Sequence, residues 1–121
     1  MTVLKRLGML GVFTLMAWSM AAQGAAAQAA PAPVNERGAA VFAAQKCSMC
    51  HALDGKGNAK GALDDVGAKL TADEIRQWIV TPAEMTAKAQ AVRKPAMKAY
   101  PNLPKEDLDA LVGFLHSKKK K

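Results

Sequence analysis

The chain has 121 residues, a formal net charge of +7, 5% aromatic residues and two cysteines. Lys5 and Arg6 supply two of those charges and Lys118–Lys121 four, so the remaining body is close to neutral and carries no basic footprint for a nucleic-acid partner. The length allows one small domain with a modest core, of the kind that often depends on a metal or another staple.

At the N-terminus Lys5 and Arg6 precede an apolar run from Leu7 to Ala22. Small residues follow, with Ala25-Ala26-Ala27 or Ala27-Gln28-Ala29 fitting a signal-peptidase site. An uncleaved membrane anchor is the competing reading, but a spanning helix wants about 20 apolar residues and this run is shorter and alanine-rich at its end. Residues 1–27 are therefore read as a signal peptide cleaved near Ala27 or Ala29, which implies export to the periplasm and no membrane span in the mature protein. Residues 28–34 read as a flexible Ala/Pro linker, 35–117 as the folded domain and 118–121 as a basic tail.

Asn35 is the expected N-cap of the first helix, with Glu36 in its first turn. Gly38, Val41 and Phe42 recur at helical spacing and give that helix one apolar face. It leads into Cys47-Ser48-Met49-Cys50-His51. Two cysteines with two residues between them, followed at once by histidine, form the attachment pattern of c-type haem. Two thiols about one turn apart can each add to a vinyl group of one porphyrin, and the adjacent imidazole can then reach the iron. A thioredoxin-like redox pair is the first alternative, but it belongs after a strand in a βαβ unit, and no such alternation is present. Zinc wants four ligands, and beyond this motif the only histidine is His116. A Cys47–Cys50 disulfide would close too short a loop to constrain much.

Residues 52–69 hold Gly55, Gly57, Gly61 and Gly67 without sustained periodicity and read as a loop wrapping the histidine side of the cofactor. Lys56 and Lys60 are read as solvated, with a part in guiding a docking partner as the alternative. Thr71 and Glu74 then predict a capping box, with Leu70 and Ile75 placed as a hydrophobic staple. Ile75, Trp78 and Ile79 line one face of that helix, which Thr81-Pro82 ends. Trp78 reads as core, with donation to a haem propionate as the alternative. A further helix is expected over Ala83–Val92. Pro95 and Pro101 forbid a continuous helix beyond it, so Met97 sits in a constrained loop from which its thioether can approach the iron. Met85 is the rival for that role, and Met49 lies inside the motif. The last helix follows Pro104, with Leu108, Leu111, Val112 and Leu115 as its buried stripe. The closing lysines read as a solvated, disordered end whose loss leaves stability nearly unchanged. The sharper alternative is that they steer encounter with an acidic partner or an anionic membrane surface.

Taken together, the mature chain resembles a small class I c-type cytochrome. That family has the Cys-x-x-Cys-His motif near the mature N-terminus and a ligand methionine some way before a C-terminal helix. Gly38 and Phe42 resemble its small and aromatic residues on the first helix, Leu111 and Phe114 their contacts on the last, and Met97–Leu103 the loop between ligand and helix. The resemblance implies an all-α fold of four to five helices around one covalent haem c, with iron held by His51 and Met97. It also implies a non-enzymatic single-electron carrier working between redox proteins, a dehydrogenase donor and an oxidase acceptor. A haem subunit of a periplasmic oxidoreductase, or a ligand-binding or peroxidase-like haem protein, are the other classes. Two positions depart from the family pattern. Lys98 follows Met97 where proline is common, and Lys60-Gly61-Ala62-Leu63 replaces Gly-Pro-x-Leu, whose carbonyl helps orient the histidine. The acceptor for the second ring N–H of His51 is thus left open.

Overall fold

The computed structural model describes residues 33–120. The signal-peptide reading and most of the linker lie outside them. Among the described residues no helix is long and apolar enough to cross a membrane. Five helices follow in order: α1 (Val34–Ala44), α2 (Val66–Lys69), α3 (Ala72–Val80), α4 (Pro82–Lys88) and α5 (Lys105–His116). The all-α expectation holds, with one addition: a minimal antiparallel hairpin of β1 (Ala52–Leu53) and β2 (Lys56–Gly57) inside the stretch read as loop. Its turn is Asp54-Gly55, both at positive φ (50° and 77°), the backbone geometry that favours Asp-Gly in tight hairpins. A short 3-10 turn (Ala59–Gly61) and the single turn of α2 occupy the rest of that stretch.

The chain closes by crossing α1 over α5. Gly38 is the contact point, since a Cβ there would meet the carbonyl oxygen of Ala110 and the Cβ of Phe114. The approach lets Phe42 and Phe114 meet edge to face, with centroids 6.3 Å apart, and Arg37 pairs with Asp107 at 2.8 Å along the same seam. Alanine is the better helix former by about 1 kcal/mol, but overpacking against backbone costs roughly 1–3 kcal/mol, so the clash wins. Gly38→Ala is expected to lower the melting temperature, by about 4–8 °C for each kcal/mol lost in a domain of this size. A thermal melt with an unchanged or raised midpoint would show that the two helices can separate freely.

Helix α3 is capped as its sequence implies. Thr71 Oγ1 accepts from the Glu74 amide at 3.2 Å, and the Glu74 carboxylate accepts from the Thr71 amide at 2.8 Å. The Thr71 amide, and after it the Thr71 hydroxyl that donates to the same carboxylate at 3.1 Å, hold the Glu74 carboxyl below its ordinary pKa. Arg76 then reaches across to Asp109, tying α3 to α5.

Three boundaries differ from expectation. Helix α1 starts at Val34, with Pro33 rather than Asn35 in the cap position, because the Pro33 carbonyl already accepts from the Arg37 amide at 3.0 Å. Helix α4 ends at Lys88, four residues short of Val92. Gln90 turns left-handed (φ 51°), and the Ala91 amide reaches back to the Thr86 carbonyl while that of Gln90 reaches Ala87. This is a Schellman-type ending built without glycine, so composition gave no stop signal.

The third difference is the basic end. Lys118 is held, not solvated: its ammonium lies 2.7 Å from Asp54 and 4.7 Å from the Phe114 ring centroid, and its carbonyl accepts from Gly67 at 2.9 Å. Gly67 has no room for a Cβ against His116, so α2 and the end of α5 are pressed together there. Beyond Lys118 the Lys120 amide donates to the Asp64 carbonyl at 3.1 Å, so a chain ending at Lys118 is expected to lose at most about 1 kcal/mol. One ending at Ser117 should lose about 1–3 kcal/mol, mostly the Gly67 hydrogen bond and the cation–π contact, because the ion pair to a largely exposed Asp54 adds little. Equal denaturation midpoints for the two truncations would return Lys118 to the solvated tail.

Candidate functional site

The site grows out of the end of α1. Gln45 caps that helix, Lys46 turns left-handed (φ 56°), and Cys47–Met49 form a 3-10 turn. The amides of Cys50 and His51 both return to the Cys47 carbonyl, at 3.1 and 2.9 Å. In this tight winding residues three apart eclipse, which sets Cys47 and Cys50 on one side of the turn. The hairpin braces the turn from behind. Gly57, at φ 101°, lies where a Cβ would press on the His51 carbonyl, and the Asn58 amide contacts the carbonyls of Ser48 and His51 at 3.2 Å each.

His51 is oriented by the segment whose role the sequence left open. Its Nδ1 lies 3.0 Å from the Gly61 carbonyl oxygen. A carbonyl only accepts, so Nδ1 carries the proton and Nε2 keeps a free lone pair. Burial is the main influence holding the imidazole pKa below its ordinary value, the Gly61 contact works against it, and the Arg93 charge adds to the lowering. The ring is therefore neutral at neutral pH, as a metal ligand must be. The sequence departs from the family pattern at Gly61, yet a backbone oxygen still serves there; side-chain identity does not announce it.

The motif opens onto a cavity of about 520 Å³, within the range of roughly 300–1,000 Å³ common for ligand sites. Cys47, Cys50 and His51 line it together with Met97. Helices α1, α3 and α5 turn their apolar faces to the same space, through Phe42, through Ile75, Trp78 and Ile79, and through Leu111 and Leu115. Trp78 is half-buried on this wall. Met85 is buried at 6% exposure on α4 and does not line the cavity, and Met49 is 70% exposed. His116, in the last turn of α5, is also absent from the lining. Among the lining residues that no sequence pattern marks are Arg93, which donates to the Cys50 carbonyl, and Tyr100, whose hydroxyl lies 3.4 Å from the Gln45 carbonyl.

The alternatives for the cysteines fare poorly against this geometry. Burial, with Cys50 nearby as a smaller cause, pushes the Cys47 thiol up, whereas a thiol–disulfide exchange centre needs it lowered. Among the described residues no group of three or more His, Cys, Asp or Glu is gathered to hold a metal ion on its own. The residues present do fit haem c: two thiols one turn apart, a neutral imidazole with its lone pair free, a thioether in the wall and an apolar enclosure. A family model described as Cytochrome c matches residues 35–119. No curated protein and no solved structure matches the chain.

Proposed function

The chain belongs to the cytochrome c family, and on that premise we propose that it is a periplasmic single-electron carrier with one haem c joined to Cys47 and Cys50 and ligated by His51 and Met97. The observation that carries this reading is the convergence of those four side chains on one apolar cavity. When bound, the haem supplies a reversible one-electron ferrous–ferric couple, and histidine–methionine ligation sets its potential high. Everything else falls to the chain. The 3-10 turn presents both thiols, the Gly61 carbonyl fixes the imidazole tautomer, and the walls from α1, α3 and α5 exclude water and lower the local dielectric. With His51 and Met97 both holding the iron, the haem would offer no open position to a substrate, so the task proposed for the chain is electron transfer between redox protein partners.

A potentiometric titration of the purified protein tests this. The expected result is a reversible one-electron curve, with ferrous protein that does not take up carbon monoxide. Rapid carbon monoxide binding would instead point to a ligand-binding or peroxidase-like protein. Stable co-purification with a catalytic chain would make it a subunit of an oxidoreductase.

A further inference from the structure

Between α4 and α5 the chain passes over the cavity with little to hold it. Tyr100 is anchored by its amide to the Ile79 carbonyl at 2.9 Å, and Ala91 by its amide to Thr86 at 2.9 Å. Between those anchors, among the described residues, segment 92–99 makes a single hydrogen bond, from the Arg93 guanidinium to the Cys50 carbonyl. The same guanidinium lies against Gly61, in the space where a Cβ at that position would stand. Gly61 is the residue whose carbonyl orients His51, and Cys50 is the residue before His51. One planar, permanently charged group therefore touches both sides of the imidazole's mounting from the loop that carries Met97. Arg93 pairs with no carboxylate among the described residues, so its fork is committed to this contact.

We propose that Arg93 is a positioning residue that latches the Met97 loop onto the segment holding His51, keeping the loop closed over the cavity. The idea rests on the haem reading given above for what the closure protects, but the latch itself is a property of this chain. A hydrogen bond from a charged donor is stronger than a neutral one, and here it is the one such bond opposing loop opening. Pro95 stiffens the backbone beyond it, so release at Arg93 frees the segment towards Met97 as a unit.

The test uses holo-protein in four forms: wild type, Arg93→Gln, Arg93→Lys, and Lys94→Gln as a neighbouring loss of charge. Two quantities are measured, the affinity of the ferric protein for added imidazole and amide hydrogen exchange across residues 92–99. An external ligand must wait for the open loop, so its apparent affinity scales with the open population. Arg93→Gln is expected to bind imidazole roughly tenfold more tightly and to exchange faster across 92–99, with α1 and α5 amides unchanged. Arg93→Lys should lie between, since it keeps the charge but loses the fork, and Lys94→Gln should match wild type. If Arg93→Gln matches Lys94→Gln in both measurements, the latch does not exist. Wild type that carries haem but lacks a methionine–iron band contradicts the Met97 ligation instead, and the exchange comparison still decides the latch.

Discussion

Replacing Cys47 and Cys50 together by serine is expected to yield a chain that carries no haem after denaturation and that is largely unfolded. The first outcome follows from chemistry, because the thioether bonds need both sulfurs and the chain has no other cysteine. The second follows from packing. Helices α1, α3 and α5 direct Phe42, Ile75, Ile79, Leu111 and Leu115 at a cavity of about 520 Å³, and among the described residues no side chain is less than 2% exposed. The longest of those helices has 12 residues, too few to persist in water without tertiary packing. A covalently joined haem would stay with the unfolded chain, so its contribution to stability is the apolar surface it would cover and the ligation it would make in the folded state, and both are lost with it. Far-ultraviolet circular dichroism should therefore lose most of its helical signal. Retention of haem-dependent peroxidase stain on a denaturing gel would end the covalent assignment. Full helicity without stain would show that the core closes by itself.

The second large effect separates two methionines. Met97→Ala should abolish the weak near-infrared band of a ferric iron–sulfur bond and admit added ligands. It should also lower the reduction potential, by on the order of 0.1 V out of the roughly 0.8 V that axial ligands span. Its effect on folding should be the smaller one, since the side chain is only half-buried in a loop. Met85→Ala should do the reverse. Met85 sits at 6% exposure on α4, outside the cavity lining, so its truncation leaves the spectrum alone and costs about 2–5 kcal/mol of stability. Exchange of the two behaviours between the variants would assign the ligand to Met85.

How far the sequence carried can be judged residue by residue. The attachment motif, the Thr71–Glu74 capping box and the apolar stripes of α1, α3 and α5 were legible because each is a local pattern of side-chain types with a fixed spacing. Gly38 falls on the apolar face by spacing and at the family's small-residue position by resemblance, and the crossing of α1 over α5 explains why nothing larger fits there. What escaped was either backbone or long-range. The Gly61 carbonyl that orients His51 belongs to an atom every residue has, so substitution of the family's proline obscured it without abolishing it. The left-handed turn at Gln90 lacks the glycine that marks such endings, so no side chain announces the stop of α4 at Lys88. The Asp54-Gly55 hairpin did have a signal, but its two-residue strands are too short to show an alternating pattern. Lys118 looked like part of a tail because its partners, Asp54 and Gly67, lie more than fifty positions away in sequence and meet it only once α5 is docked. Arg93 was hidden in the same way, as one cation among several until the fold brought it to Cys50.

The absorption spectrum of the purified ferric protein, recorded through the near infrared, tests the central claim most directly. Covalent haem held by His51 and Met97 predicts a low-spin spectrum with the weak iron–sulfur band present. A high-spin, five-coordinate spectrum without that band would contradict it.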